Sequence, residues 1–327
     1  MEEKTILEQV AETGRLLLER GLVARTWGNF SARLDEAHFA ITPSGLGYAQ
    51  MRAEDIVRVS LTDESWEGTR KPSSEKGIHA AAYRTFPDAQ FVIHTHQAYA
   101  TALGLTAPEQ LRLTEDERAA LGGVAWADYG LPGTKKLKNA VAAAFRTGAR
   151  TVLMRCHGAV ICGTDRDDAL RRAALLEELC RRSCRCDVPI PDAQDPSALL
   201  SRVREVFPNA AAETGEAARA WSTLRRPLRN QLDDAAQMTG VCIPFARDEQ
   251  ELRVLMNNYS AVFLPGIGAV VCGGDADDTA ALRVLTDKAA IAALHTRALG
   301  SSAALSLFDC VLMRQVYRLK YSKQKEE

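Results

Sequence analysis

The chain has 327 residues, of which 46% are hydrophobic and 25% charged, enough to bury one large core or two modest ones. Its 41 basic and 42 acidic side chains leave a formal net charge of −1, which excludes a global basic field for nucleic acid. No apolar run approaches membrane-spanning length and the acidic, helical start does not read as a signal sequence, so a cytoplasmic protein with neither a nucleic-acid nor a membrane partner is expected. None of the eight cysteines precedes Cys156, and most sit singly in apolar segments, as reduced thiols do.

In chain order, Ile6, Leu7, Val10, Leu17 and Leu18 give an opening helix an apolar stripe, and Gly21 ends it. Short strands and turns follow through Ser60. Two of the turns, Gly28-Asn29-Phe30-Ser31 and Ile41-Thr42-Pro43-Ser44-Gly45, are rich in small polar donors. Lys71-Pro72-Ser73-Ser74-Glu75 then opens a helix predicted from Lys76 to about Phe86. The free N–H groups and positive dipole end of such a start favour an anion, and a phosphate fits there. Glu75 read by itself does no more than complement the dipole.

The apolar run Phe91-Val92-Ile93 feeds into His94-Thr95-His96. A strand repeats every two residues, so both imidazoles would leave it on one face. A helix near Lys135 to Arg146 leads to a second run, Val152-Leu153-Met154, and to His157-Gly158, where a strand gives way to a turn. A long helix from about Asp167 to Arg182 follows. Three neutral imidazoles with an open fourth position describe a catalytic divalent site, most often zinc; the His94/His96 pair alone fits unrelated surface or core histidines equally well. Strands mixed with helices, without regular βαβ alternation, predict an α/β fold with a largely antiparallel sheet.

Gly28-Asn29-Phe30-Ser31-Ala32-Arg33, Ile41-Thr42-Pro43-Ser44-Gly45, Pro72-Ser73-Ser74-Glu75, His94-Thr95-His96 and His157-Gly158, in this order and at these separations, resemble the class II aldolase/adducin family, above all the L-fuculose-1-phosphate aldolases. The resemblance covers roughly residues 5 to 185. It implies a three-layer fold, a central mainly antiparallel sheet covered by helices. It also implies one zinc ion per chain on His94, His96 and His157, with Glu75 as the catalytic acid/base beside it. The implied phosphate pocket is Asn29, Ser44, Gly45, Ser73 and Ser74, and the implied assembly is a homo-oligomer, dimer or tetramer. The activity expected is that of a zinc-dependent aldolase-type lyase, cleaving or forming a carbon–carbon bond of a sugar phosphate through a metal-stabilised enediolate. Related outcomes on the same scaffold are a sugar-phosphate 4-epimerase, which typically carries aspartate at the Glu75 position, and a methylthioribulose-phosphate-type dehydratase. Adducin-like structural members have lost the histidines that this chain keeps.

One departure concerns a tyrosine that fuculose aldolases carry shortly before a Gly-Gly pair. Counting back from Gly122-Gly123, this chain has Glu115-Asp116-Glu117, with Asp116 nearest that position. Tyr129, in Asp128-Tyr129-Gly130-Leu131-Pro132-Gly133-Thr134, is a candidate substitute; packing explains it too. Cys180, Cys184 and Cys186 lack the spacing of a zinc knuckle.

Pro189, Pro191 and Pro196 mark a break. Beyond it, the fourteen residues from His157 to Leu170 recur from Ile267 to Ala280 with eight identities at a constant offset of 110, and Ile267 stands where His157 stood. The expected organisation is a catalytic domain over 1–186, a connector with one short helix over 187–225, and over 226–327 a degenerate aldolase-like half-domain without metal ligands. The basic carboxy-terminal segment contains Tyr317 and Tyr321, which by the resemblance could reach a neighbouring subunit's site.

Overall fold

The stripe predicted at the amino terminus forms α1 (Glu3–Glu19), which buries Val10, Ala11 and Leu17. Gly21 follows at φ +67°, a left-handed conformation that costs glycine little. The computed structural model describes residues 2–301 and 303–320, and the chain divides into two compact units, Met1–Ser183 and Cys184–Glu327. Among the described residues no helix is long and apolar enough to cross a membrane.

In the first unit, α1 is followed by β1 (Asn29–Arg33), β2 (His38–Ile41), β3 (Val57–Ser60), α2 (Lys76–Thr85), β4 (Phe91–Thr95) and α3 (Ala98–Gly104). Then come α4 (Glu115–Ala120), β5 (Val124–Ala127), α5 (Lys135–Phe145), β6 (Thr151–Met154), β7 (Gly158–Gly163) and α6 (Arg166–Ser183). The strands form one seven-stranded sheet in the order β3-β2-β1-β4-β7-β6-β5. Every pair is antiparallel except β5 with β6, in accord with the expected central, mainly antiparallel sheet.

The two-residue period of β4 sorts its side chains between the layers. Val92, with Val152, Met154 and Val160 of the neighbouring strands, packs under Ile78 and Tyr83 of α2 and Val141 and Phe145 of α5. α1, α3 and α6 pack against the sheet as well, α6 on β4 and β7. His94 shares the parity of Val92, so the strand delivers it to the face that α2 covers.

The second unit contains α7 (Ser197–Arg204), β8 (Ala211–Glu213), α8 (Glu216–Thr223), β9 (Leu228–Arg229), α9 (Asp233–Thr239) and β10 (Cys242–Ile243). It continues with α10 (Glu249–Met256), β11 (Ala261–Leu264), β12 (Gly268–Val271), α11 (Ala276–Ala298) and α12 (Leu307–Lys320). Its sheets are β11-β12-β8, antiparallel throughout, and the pair β9-β10. Residues 187–225, expected as a connector with one short helix, hold two helices and β8, a full member of the sheet. Three residues are too few to show an alternating pattern; β8 is a strand because β12 offers it a partner.

The two units share local geometry at the recurring sequence. β6 and β11, β7 and β12, and α6 and α11 begin at the same offset of 110. Cys162 N–H donates to Arg150 O, and Cys272 N–H to Ser260 O, both at 2.8 Å. The carboxylates of Asp165 and Asp275 accept from the N–H groups of Asp168 and Asp278, both at 2.7 Å. Glu177 on α6 accepts from Ala100 N–H at the start of α3, and Asp287 on α11, 110 residues later, accepts from Ala218 N–H at the start of α8, both at 3.0 Å.

Candidate active site

Two glycines let the backbone close around His94. Gly28 has φ +102°, and a Cβ there would stand 2.6 Å from the His94 carbonyl oxygen. A Cβ on Gly158 would stand 2.1 Å from the carbonyl oxygen of Thr95. No larger residue fits either place, which gives the Gly28-Asn29 and His157-Gly158 pairs a steric reason. Asn29 then lies opposite His94 across the β1–β4 ladder. His157 is carried on the β6–β7 turn, where its N–H donates to Met154 O at 3.1 Å and Cys156 adopts φ +64°.

One ring nitrogen from each of His94, His96 and His157 lies within 4.8 Å of the other two. His94 and His157 are buried, while His96, one residue beyond β4, is half-buried. The Nδ1–H of His94 donates to the Ala159 carbonyl at 2.9 Å, which leaves Nε2 unprotonated in the neutral ring. That lone pair faces the Nε2 of His96 at 3.1 Å and Glu75 Oε2 at 3.2 Å. Acceptors directed at one another in this way fit a shared cation, and an ion about 2.0–2.1 Å from each nitrogen brings such nitrogens to similar separations. The donor set therefore suits a divalent metal of the zinc type.

Glu75 occupies the N-cap position of α2 but makes no side-chain cap bond. Instead Ser73 Oγ accepts from Glu75 N–H at 3.2 Å, and the carboxylate turns inward. Oε1 lies 3.0 Å from His157 Nε2, and Oε2 accepts from Asn29 Nδ2 at 3.0 Å. Only 7% of Glu75 is exposed. Burial pushes its pKa up, but positive charge shared with the facing His157 and His94 outweighs burial and holds the carboxyl well below the usual range.

The residues expected to take a phosphate lie on neighbouring segments. Pro43 and Pro72 form a β-bridge, Ser44 N–H donates to Lys71 O at 3.0 Å, and Ser73 N–H to Thr42 O at 3.1 Å. The Thr42–Gly45 loop is thus strapped to the segment that leads into Glu75. Asn29 and Ser73 are buried, Ser44 is half-buried, and Ser74 and Gly45 are exposed, Gly45 at φ +81°. A Cβ on Gly133 would stand 3.3 Å from Ser74 Cβ and Oγ, so the loop bearing Tyr129 passes beside Ser74; Tyr129 itself is half-buried.

Other sequence-level candidates lie elsewhere. Asp116 is exposed in the first turn of α4, where Thr114 and Glu117 form a capping box. Glu117 also pairs with Arg182 at 2.7 Å, so this acidic run serves the helix start. Tyr317 lies on α12, and Tyr321 falls outside the described residues. Cys180, Cys184 and Cys186 are free thiols and join no metal-capable cluster among the described residues.

Sequence reading passed over His79 and Tyr83, and gave Ser31 no part beyond a donor-rich turn. His79 is fully buried on α2, with Nε2 2.5 Å from Asn29 Oδ1 and Nδ1 2.6 Å from Ser31 Oγ. Ser31 Oγ lies 2.8 Å from Tyr83 Oη. The available signal was spacing: His79 and Tyr83 follow Glu75 by one and two helical turns in an otherwise alanine-rich helix, and Ser31 follows Asn29 by one strand period.

Residues 8–184 match the Class II Aldolase and Adducin N-terminal domain, and the chain belongs to that family. It is 42% identical over 102 residues to the methylthioribulose-1-phosphate dehydratase of Methylococcus capsulatus, covering 31% of this chain and 50% of the relative; the match thus spans half of that protein's length. It is 34% identical over 154 residues to the 5-deoxy-D-ribulose 1-phosphate aldolase of Bacillus thuringiensis serovar kurstaki, covering 47% of this chain and 72% of the relative. Among solved structures, an L-fuculose 1-phosphate aldolase superposes with a TM-score of 0.50 at 30% identity, over 54% of this chain and 84% of its own. YgbL from Klebsiella pneumoniae gives a TM-score of 0.52 at 27% identity, over 56% of this chain and 89% of its own.

Proposed function

We propose that the protein is a zinc-dependent aldolase-type lyase, cleaving or forming a carbon–carbon bond of a phosphorylated sugar. The observation that carries this reading is the convergence of three histidine nitrogens with a buried carboxylate beside two strapped-together, donor-rich loops. When bound, a divalent ion supplies Lewis-acid stabilisation for charge on the substrate's oxygens. His94, His96 and His157 would hold it, with Ala159 O fixing the ring of His94. Glu75 Oε1 and Oε2 move the proton on or off the reacting carbon, so an enediolate can form and collapse. Asn29, Ser44, Gly45, Ser73 and Ser74 anchor the phosphate, and that remote binding orients the reacting carbons.

The test is proton exchange. Metal-loaded protein in deuterated buffer is expected to exchange a C–H proton of dihydroxyacetone phosphate without any aldehyde, because this half-reaction needs only metal, anchor and Glu75. The similarity to a named dehydratase makes dehydration the second reading. No exchange, with release of water from a methylthio sugar phosphate, would establish it; inversion at C4 would move the assignment to an epimerase.

We also propose that the second unit contains a degenerate copy of part of the first, without metal ligands. The shared offset and the shared hydrogen bonds support it. They draw β8 and α8 into the copy, as counterparts of β4 and α3, so it begins earlier than the residue 226 expected from sequence. By register, Thr95 lies opposite Ala159 and Glu213 opposite Ala269. The positions of His94, His96 and His157 then correspond to Ala212, Thr214 and Ile267.

A further inference from the structure

The buried polar side chains behind Glu75 form a chain whose direction can be worked out from one end. A carboxylate only accepts, so Asn29 presents its Nδ2 to Glu75 Oε2 at 3.0 Å. Its Oδ1 is then an acceptor, and the neighbouring Nε2 of His79, 2.5 Å away, must carry a proton. Burial of His79 drives its pKa down to about 3, so the ring is neutral and Nδ1 is bare. Nδ1 therefore accepts from Ser31 Oγ at 2.6 Å, and Ser31 in turn accepts from Tyr83 Oη at 2.8 Å. Every proton in the run points toward Glu75.

His79 and Ser31 are fully buried, and Tyr83 is 2% exposed. A polar group desolvated this far costs on the order of 1–3 kcal/mol when unpaired, so a fold keeps four together only where their bonds are satisfied. The reverse orientation of Asn29 would set its oxygen against the Glu75 carboxylate and its amide hydrogens against the His79 N–H.

We infer that His79 is a positioning residue: by donating to Asn29 Oδ1, it locks the Asn29 amide with its nitrogen on Glu75. One amide hydrogen then holds the carboxylate and the second is left for the substrate's phosphate. The inference rests on the reading of Glu75 as the proton-moving group and Asn29 as part of the anion anchor. It gives α2 two tasks one turn apart, presenting Glu75 and holding the group that orients it.

Two isosteric variants separate positioning from packing. Glutamine places an amide N–H close to the Nε2 position of histidine, while asparagine reaches only as far as Nδ1. His79→Gln is expected to retain turnover within about fivefold, and His79→Asn to lose on the order of 10–100-fold, the scale of outer-shell partners. His79→Asn should also raise KM for the phosphate ester and weaken protection by inorganic phosphate in thermal melts, with metal content unchanged. Equal losses in both variants would mean that His79 only fills space, and would overturn the inference. A direct readout is the neutral-ring tautomer of His79 by nitrogen-15 NMR: protonated Nε2 is expected, and protonated Nδ1 overturns the proposal. Glu75→Gln, assayed alongside, keeps the two readings apart. If that variant turns over normally, the reading of Glu75 has failed; if it is dead while His79→Asn matches the wild type, only the role of His79 has.

Discussion

In the first unit the turn between β6 and β7 brings His157 within 3.0 Å of Glu75. In the second unit the turn between β11 and β12 places Ile267 in an apolar cluster with Ala212, Leu264, Leu200 and Leu252. Flanking backbone bonds are the same: His157 N–H to Met154 O at 3.1 Å and Ile267 N–H to Leu264 O at 3.3 Å. Both turns are followed by a glycine against which a strand carbonyl leaves no room, 2.1 Å from a built Cβ at Gly158 and 2.4 Å at Gly268. The turn that carries His157 into the histidine cluster is therefore also a stable turn for a core residue. In the proposed reading, chemistry is added by three side chains and a carboxylate and does not follow from the turn itself.

The largest test copies the second turn into the first. His157→Ile is expected to bring metal content from about one ion per chain to near none and to abolish turnover, a loss well beyond the ~100-fold upper range for an outer-shell partner. Metal analysis of the purified variant checks it; undiminished metal would remove His157 from the ligand set. Next in size is Glu75→Gln, which should keep the fold and most of the metal while losing at least about a hundredfold in turnover. Steady-state rates together with metal content decide it, since the three histidines are expected to hold the ion without the carboxylate.

How far the sequence disclosed this site depends on the range of each contact. His94 and His96 sit one strand period apart after an apolar run, and His157 ends another, so their arrival on one sheet could be read locally. Glu75 read locally as a helix-start acid, because nothing in Pro72-Ser73-Ser74-Glu75 says that its carboxylate leaves the helix start without a side-chain cap and turns inward to His94, His157 and Asn29. His79 looked like one more position of an alanine-rich helix; its partners are 48 and 50 residues away. β8 was hidden for a related reason, since Ala211-Ala212-Glu213 has no pattern of its own and becomes a strand only through its ladder to β12.

A smaller effect should come from the second turn alone. Ile267 is 7% exposed, so Ile267→Ala removes buried methyl groups and is expected to cost about 2–5 kcal/mol, the usual range for such truncations. Denaturant unfolding should show a lowered midpoint, while metal content and turnover of the folded protein stay at the wild-type level. A loss of metal from this variant would break the comparison, because it would give the second turn a part in the first unit's chemistry.

The smallest expected effect concerns the carboxylates that hold corresponding helix starts. Glu177 accepts from both Tyr99 and Ala100 N–H, each at 3.0 Å. The shorter Asp287 accepts from Ala218 N–H and lies among other acids. Burial, together with the charges of Glu213 and Glu216 and against the Ala218 N–H and Arg219, raises its pKa to about 6. A carboxyl that holds its proton more tightly folded than unfolded favours the folded state at low pH, and that contribution fades as pH rises from about 4 to about 6. Asp287→Asn keeps the acceptor oxygen and removes the ionisation. The variant should therefore match the wild type near pH 4 and exceed it above pH 6 by about 1–2 kcal/mol, discounted from ~1.4 kcal/mol for each tenfold change in proton affinity. Urea unfolding at pH 4, 5, 6 and 7.5 would resolve this, and parallel stability profiles for the two proteins would show that Asp287 has an ordinary pKa and holds α8 without the burial cost argued here.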